Sequence, residues 1–221
     1  QIVLKDKIRK ILTNAGLSEV NNYSFVGEAD LNLGSGWKKK VIELENPISV
    51  QSKYLRPSLS AGMLKNINSN FRFFNEIKIF EIGKIFFTDE QKKFNERLVL
   101  GIALASKKDK QTRLPDGQVF FEIRGILEQL FKRIGLVSYL MPEPEEDSWI
   151  KNSTDNYLIP QEVLKIESND STIGYFGRLD KKLIENNEAV LAEIDLDSLL
   201  KLIEEKPDCI LLDLVLPDES G

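Results

Sequence analysis

The chain has 221 residues, of which 42% are hydrophobic and 29% charged, so it is long enough to bury a substantial core. Its net charge of −5 argues against broad, sequence-independent binding of nucleic acid, and the basic run Lys38-Lys39-Lys40 is interpreted as a solvated turn. Histidine is absent and Cys209 is the single cysteine, which excludes Ser-His-Asp and Cys-His catalysis, an intramolecular disulfide and a cysteine-based zinc site.

Charged residues interrupt the N-terminal segment, and no apolar run approaches the roughly twenty residues that a membrane-spanning helix needs. We therefore expect no signal peptide and no membrane anchor. With one cysteine, a reducing environment fits the chain, and a cytoplasmic location is predicted.

The first elements predicted are a helix and two short strands. Apolar residues at helical spacing from Leu4 to Ala15 predict an amphipathic helix that ends at Gly16. Alternation over Val20–Val26 predicts a strand, and Asp30–Gly36 is interpreted as a loop. A short strand, Val41–Glu45, is predicted to stop at Asn46-Pro47, because proline cannot donate a hydrogen bond to a sheet.

A helix and a β-hairpin are predicted next. After Pro57, the residues Leu59, Met63, Ile67 and Phe71 recur at helical spacing and form one apolar stripe. Ile77–Phe87 is apolar on both faces, which predicts a strand near the centre of a sheet. Leu98–Ala105 follows after a connection too short for a crossover helix, so the two strands should pair antiparallel.

The remaining elements complete an α+β pattern. A helix from Phe120 to Ile134 should end at Gly135, a short helix is expected over Asp180–Glu185, and Asp197 is predicted to cap a last helix. Four more strands are predicted, over Val137–Met141, Leu164–Glu167, Thr172–Arg178 and Ala189–Ile194. The fold class is therefore α+β, with a mainly antiparallel sheet flanked by helices.

The sequence lacks the common motifs for nucleotide binding and metal binding. The sequence has neither a Walker-type loop nor a Gly-x-Gly-x-x-Gly following a strand, and the glycines of Gly174–Gly177 are interpreted as strand glycines. The acids Glu43 and Glu45, and those of the acidic segment 142–147, lack EF-hand spacing. We predict no metal site and no catalytic residue.

Arg56 has two interpretations, and the residues alone do not favour either of them. Its planar guanidinium, just before a proline and close in sequence to Asn46-Pro47, could clamp a carboxylate or carbonyl oxygens across a subunit boundary. It could equally be a surface arginine satisfied by water or by a neighbouring loop. Asn46 is interpreted as stabilising the turn before Pro47.

Several segments, in this order, resemble the catalytic-like core of the phenylalanine–tRNA ligase beta subunit family. They are 12–20 with 23–26, Asn46-Pro47 with Leu55-Arg56 and Ser58-Leu59, Asn66 with Asn70, 80–86, 120–125 and 173–179. The resemblance covers residues 3–203, and it implies one domain over residues 1–205 that is built like a class II aminoacyl-tRNA synthetase.

The resemblance also implies that the catalytic residues have been lost. A class II site needs an arginine beside an acid on its second-motif strand, where it neutralises charge on the ATP α-phosphate. The matching strand here has Phe80 before Glu81 and continues with Gly83-Lys84, a degenerate form of that motif. No glycine-rich segment of the third-motif type ending in arginine is found. We therefore expect no cofactor in this chain.

In the family, the alpha subunit activates phenylalanine with ATP and charges the tRNA, so ATP and magnesium are expected in that partner. The resemblance implies a non-catalytic domain that packs against alpha in an (αβ)₂ heterotetramer, with weak or indirect tRNA contact. An isolated copy is expected to self-associate through its uncovered apolar surface. The predicted subunit interface comprises Asn46, Pro47, Leu55, Arg56, Leu59, Met63, Ile67 and Phe71.

Two alternatives remain open. A domain of the class II type could itself bind ATP or an amino acid. Separately, the tail Lys206–Gly221 resembles the phosphoacceptor strand of a receiver domain, with Asp213 at the phosphorylated position. The magnesium-binding acid pair and the downstream Thr and Lys of a receiver are absent, so the favoured interpretation is a terminal apolar strand.

Overall fold

The computed structural model describes residues 2–34, 36–108, 117–136, 139–142, 154, 156–169, 171–185 and 187–204. The tail Lys206–Gly221 with Asp213 lies outside the described residues, as do residues 143–147 of the acidic segment. No helix among the described residues has both the length and the apolar character needed to cross a membrane.

Along the described residues, helices are interspersed with runs of consecutive strands, as expected of an α+β protein. The α-helices are α1 (Ile2–Asn14), α2 (Trp37–Lys40), α3 (Ser60–Asn70), α4 (Gln118–Ile134) and α5 (Leu196–Glu204). Three 3₁₀ turns lie at Glu28–Leu33, Val50–Ser52 and Lys181–Ile184. The strands are β1 (Ser18–Glu19), β2 (Phe25–Val26), β3 (Tyr54–Leu55), β4 (Glu76–Thr88), β5 (Phe94–Ser106), β6 (Tyr139–Pro142), β7 (Leu158–Ser168), β8 (Ser171–Leu179) and β9 (Glu188–Asp195).

Seven of these strands form one sheet, in the order β1-β4-β5-β9-β8-β7-β6. The β1–β4 pair is parallel and every other neighbouring pair is antiparallel, so the sheet is mixed but mainly antiparallel, as predicted. The hairpin of β4 and β5 is also confirmed, and it pairs continuously from Glu76 opposite Ser106 to Thr88 opposite Phe94. A separate two-stranded sheet joins β2 to β3.

Three strand predictions need correction. The long strand β4 lies one place from the sheet edge rather than at its centre, with the two-residue β1 as its outer neighbour. The strand predicted over Val20–Val26 is interrupted, because Asn22 turns inward to bond the Glu81 carboxylate. Val41–Glu45 forms a single bridge, between Glu43 and Tyr54, instead of a strand.

The helix ends follow the glycine and capping rules with one exception. Gly16 (φ 87°) follows α1 and Gly135 (φ 82°) caps α4, both in the left-handed conformation that glycine tolerates. At α5 the prediction was wrong: Asp195, not Asp197, accepts the free backbone N–H groups of the first turn. The Asp197 carboxylate accepts the backbone N–H of Leu98 instead.

The sheet has a hydrophobic core on each face. The helix face packs against α1, α4 and α5, and its core includes Phe80, Leu127 and Phe176. The opposite face, which we call the cavity face, is covered by α2, α3 and the 3₁₀ turns, and its core includes Met63 and Trp37. Because β4, β5, β8 and β9 contribute to both cores, each of these strands is apolar on both sides.

Candidate functional site

The register of the sheet places a row of polar side chains on the cavity face. Glu81 on β4 lies opposite Gly101 on β5, Gly101 opposite Glu193 on β9, and Glu193 opposite Tyr175 on β8. Directly opposed residues in antiparallel strands point to the same face, so this row crosses four strands. Glycine in the middle leaves room for Met63 and Leu59 from above, and these side chains separate the two acids.

At one end of the row, Arg56 and Glu81 form a buried ion pair. The residues are 5% and 1% exposed, and Arg56 Nη1 lies 2.6 Å from Glu81 Oε1. Arg56 Nε also donates to the carbonyl of Lys84 at 2.9 Å, and Nη1 to the carbonyl of Asn22 at 3.3 Å. Such further bonds are what a buried charged pair needs if it is not to destabilise the fold.

Two asparagines complete this cluster. Asn22 donates its side-chain N–H to Glu81 Oε2 at 2.7 Å and its backbone N–H to Oε1 at 3.3 Å. Asn66, on α3, donates to the Asn22 amide oxygen at 3.1 Å. Asn66 was among the segments that carry the family resemblance, and here its role is to orient Asn22. The cluster ties β4 to the segment before β2 and to α3.

The degenerate-motif residues do not share one surface. Phe80 is fully buried in the core of the helix face, so a cation at that position would point away from Glu81. Contrary to the sequence-based expectation, position 80 could not supply the cation that a class II site needs beside its acid. A cation does lie beside Glu81, but Arg56 supplies it. Gly83 has no room for a Cβ next to Arg56, and Lys84 pairs with Glu96 at the surface.

The predicted interface residues fall into two groups. Leu59, Met63, Ile67 and Phe71 are buried in the chain's own core, so their side chains offer no surface to a partner. Arg56 is likewise buried. Asn46 and Pro47 are exposed and Leu55 is half-buried. The contact of this second group with another subunit remains a prediction.

At the other end of the row, the sheet opens into a cavity of about 510 Å³. Its floor carries Glu193, Asp195 and Arg97, and its apolar walls include Ile85 and Val99. Helix α2 lies at its rim with Trp37, Lys39 and Lys40. A volume of this size suits a small organic molecule.

Glu193 is the buried acid of the cavity, with 8% of its surface exposed. Its Oε2 atom accepts the Ser58 hydroxyl at 2.7 Å and the backbone N–H of Leu59 at 3.0 Å. Burial raises the pKa of the Glu193 carboxyl, and these two hydrogen bonds together with Arg56 and Arg97 oppose the rise. The carboxylate is therefore held in place by neutral donors.

A chain of hydroxyl groups continues from Glu193 into the core. The hydroxyl oxygens of Ser58 and Ser60 lie 2.9 Å apart, those of Ser60 and Tyr157 lie 3.0 Å apart, and those of Tyr157 and Tyr175 lie 2.7 Å apart. Burial, with Glu193 nearby, keeps the pKa of Tyr175 well above its ordinary value, so the phenol stays protonated. The chain satisfies buried polar groups and fixes the cavity floor.

Asp195 and Arg97 form a charged pair inside the cavity. Arg97 Nε lies 3.2 Å from Asp195 Oδ2, and the guanidinium lies over the Phe87 ring at 5.2 Å. The Asp195 carboxylate also accepts the Ser198 hydroxyl at 2.8 Å as part of the α5 cap. Both groups are thus committed to contacts within the chain, while Arg97 remains partly exposed.

The cavity residues were not predicted as site residues. The available signal was the alternation of Glu193 and Asp195 within the otherwise apolar strand Glu188–Asp195, where a charged side chain needs a specific reason. Arg97, the partner of Asp195, lies far away in sequence, and the pairing of Val99 with Asp195 in the sheet brings it near. Within the described residues, no group of acids or Cys suited to hold a metal ion occurs.

The fold defines a class of protein. Two solved structures of pyrrolysyl-tRNA synthetase from Desulfitobacterium hafniense superpose on this chain with TM-scores of 0.68 and 0.70. Each superposition covers 92% of this chain and 69% of the other, at 17% and 18% sequence identity. At that identity the likeness concerns the fold alone, which is that of class II aminoacyl-tRNA synthetases.

The family is more specific. Residues 1–196 match the family model described as phenylalanyl tRNA synthetase beta chain CLM domain, and the chain belongs to that family. It is 30% identical over 207 residues to the phenylalanine–tRNA ligase beta subunit of Fusobacterium nucleatum and 29% identical over 209 residues to that of Bdellovibrio bacteriovorus. These alignments cover 90% and 87% of this chain but 25% of each relative, so the chain spans about a quarter of their length.

Proposed function

We propose that this chain is a non-catalytic domain of a phenylalanine–tRNA ligase beta subunit, acting in the cytoplasm. In this proposal it packs against the alpha subunit in an (αβ)₂ heterotetramer and supports formation of phenylalanyl-tRNA. ATP and magnesium act in the alpha partner, and contact with tRNA is weak or indirect. One observation supports the non-catalytic role: Arg56, which pairs with the acid of strand β4, is buried with it inside the fold.

Arg56 is the cation beside Glu81, and its Nε and Nη1 groups are bonded within the fold. Its described bonds go to Glu81 and to the carbonyls of Asn22 and Lys84. A catalytic arginine must instead point its N–H groups at the phosphate on which charge develops. In the neighbouring cavity, Arg97 on the floor is paired with Asp195, and the buried carboxylate of Glu193 would repel a phosphate placed against it.

Exposed apolar side chains near Asn46-Pro47 form a surface suited to a protein partner. Ile48 is 99% exposed, Tyr23 89% and Val50 79%, while Phe25 is 42% exposed. The strand β2, which carries Phe25, packs against the 3₁₀ turn that begins at Val50. Exposed apolar groups on adjacent segments are typical of a protein–protein interface. We name Tyr23, Phe25, Ile48 and Val50 the apolar rim.

Co-expression with the matching alpha subunit tests the partner assignment. We expect a complex that co-purifies at micromolar concentration and that Ile48→Asp weakens about tenfold or more, because it would bury a charge in the interface. Phe121→Asp is the matched control, since Phe121 is 67% exposed but lies on α4, on the other side of the sheet. Separate elution of the two wild-type chains would reject the assignment.

Measurements on the isolated chain test its lack of catalytic activity and its self-association. ATP–pyrophosphate exchange with phenylalanine should be absent, and calorimetry should detect no micromolar binding of ATP. Either result would favour the alternative, a domain of the class II type that itself binds ATP or an amino acid. Sedimentation should show self-association through the apolar rim, reduced in Ile48→Asp and unchanged in Phe121→Asp.

A further inference from the structure

Glu193 differs from Glu81 and Asp195 in having no ion-pair partner among the described residues, although Arg56 and Arg97 act on it from a distance. Glu81 pairs with Arg56 and Asp195 pairs with Arg97. For Glu193, no Lys or Arg of the described residues forms an ion pair, and both of its hydrogen bonds go to Oε2. Its other oxygen, Oε1, accepts no hydrogen bond from these residues, although the side chain lines the cavity.

Such a carboxylate favours a cation from outside. Removing a charged group from water costs free energy unless a partner compensates it. Ser58 and the backbone of Leu59 hold Glu193 by neutral hydrogen bonds, which orient the carboxylate without neutralising it. A positively charged donor at Oε1 would gain a charge-assisted hydrogen bond.

The rest of the cavity defines the ligand around that cation. Trp37, Ile85, Phe87 and Val99 supply apolar surface, and the volume of about 510 Å³ accepts a small organic molecule but no macromolecule. Lys39 and Lys40 stand at the rim on α2, where an anionic end would be favoured. A hydrated inorganic cation would leave these apolar walls unused.

We propose that this cavity binds a small organic ammonium compound with an apolar body, its ammonium group paired with Glu193. The body lies against the walls formed by Trp37, Ile85, Phe87 and Val99. Primary amines and α-amino acids share this chemistry, and they differ in whether a carboxylate faces Lys39 and Lys40. Binding requires no reaction, so it is independent of the non-catalytic role proposed above.

Titration of ¹⁵N-labelled chain with phenethylamine, isoamylamine, phenylalanine and leucine tests the proposal. The indole N–H resonance of Trp37 reports binding, because Trp37 lines the cavity. At least one probe should shift it with a saturating curve, and Glu193→Gln should weaken that probe about tenfold or more, since the charged hydrogen bond is lost. Glu96→Gln is the control, because Glu96 is an exposed acid outside the cavity, paired with Lys84.

A second variant separates the two ligand sources and does not touch the core. If a carboxylate contributes, Lys40→Glu on the exposed rim should weaken binding of the amino acids more than binding of the corresponding amines. If only the ammonium group contributes, the variant should change the affinity for both classes by the same factor. The proposal is overturned if no probe shifts Trp37 at millimolar concentration, or if Glu193→Gln, shown to be folded by its spectrum, binds the probe as tightly as the wild type.

Discussion

Arg56 and Glu81 show how a buried charged pair can become part of a fold. Each charge is removed from water, and each has further partners: two backbone carbonyls for Arg56, and the backbone and side chain of Asn22 for Glu81. The pair therefore joins the segment before β2 to strand β4. Its removal should affect stability, whereas a surface pair such as Lys84–Glu96 should matter little.

Arg56→Ala should lower the free energy of unfolding by about 3–5 kcal/mol, because Glu81 would be left buried and uncompensated. Lys84→Ala, the matched surface control, should cost less than about 1 kcal/mol. Urea unfolding followed by far-UV circular dichroism measures both. Equal costs for the two variants would contradict the structural role of the Arg56–Glu81 pair, and Arg56→Met combined with Glu81→Leu should recover part of the loss.

Glu193 should give stability a pH dependence of its own. Its pKa is raised in the folded state, chiefly by burial, so the folded chain holds this proton at a higher pH than the unfolded chain does. Stability contributed by the protonated form is therefore present near and below the ordinary pKa and is lost as pH rises through the folded pKa.

The matched comparison is Glu193→Gln against the wild type at pH 5 and pH 8. Because Gln does not ionise, the variant should gain stability relative to the wild type on going from pH 5 to pH 8, as measured by urea unfolding. Glu96→Gln, at an exposed position, should show no such gain. A difference between Glu193→Gln and wild type that is the same at both pH values would contradict the raised pKa.

At the scale of single elements, strand β4 shows how alternation distributes roles. Phe80 enters the core of the helix face, while Glu81 and Gly83 face the Arg56 cluster on the other side. Further along, Ile85 and Phe87 line the cavity. One strand thus contributes to the core, the ion pair and the cavity. A shift in register by one residue would move each of these side chains to the opposite face of the sheet.

Gly83→Ala should destabilise the chain by about 1–3 kcal/mol, because the new Cβ would overlap the Arg56 guanidinium and lie 3.1 Å from Glu81 Oε1. Gly125→Ala on α4 is the matched control, since nothing lies within 4 Å of its Cβ position. There alanine should stabilise the chain by about 0.5–1 kcal/mol through its better helix propensity. Thermal unfolding distinguishes the two, and a stabilising Gly83→Ala would contradict the close approach of Arg56.

At the scale of the whole molecule, one sheet serves two cores. Leu127 on α4 is fully buried on the helix face and Met63 on α3 is fully buried on the cavity face. The same central strands lie between them, so neither core can be lost while the other keeps its packing. We expect a single cooperative unfolding transition.

Leu127→Ala and Met63→Ala should each cost about 2–5 kcal/mol through the cavity they create. In both variants the transition followed by far-UV circular dichroism should coincide with that followed by Trp37 fluorescence. A Trp149→Phe background leaves Trp37 as the single tryptophan. Trp37 belongs to the core of the cavity face, so it reports on the far side of the sheet from Leu127. Separate midpoints for the two probes in Leu127→Ala would show that the cores unfold independently.

Much of the architecture was predictable from local pattern. The helix stripes, the glycines at the ends of α1 and α4, and the β4–β5 hairpin follow from rules that act within about fifteen residues. The interrupted strand around Asn22 was not predictable, because the competing partner, Glu81, lies 59 residues away. Likewise, Asp195 and Asp197 fit the capping rule equally well, and only the position of Leu98 decides which one caps α5.

The sequence by itself determined the fold class, the order of the long helices and strands, the family and the exclusion of histidine and disulfide chemistry, because these follow from composition, periodicity and ordered motifs. The tertiary structure decided which side chains meet. It buried the helix stripe assigned to an interface and gave Glu81 its cation from Arg56 rather than from position 80. It also left Glu193 facing a cavity with no ion-pair partner among the described residues. The physical reason is that hydrogen bonds and ion pairs depend on distance in space, and sheet register brings together residues that local patterns cannot relate.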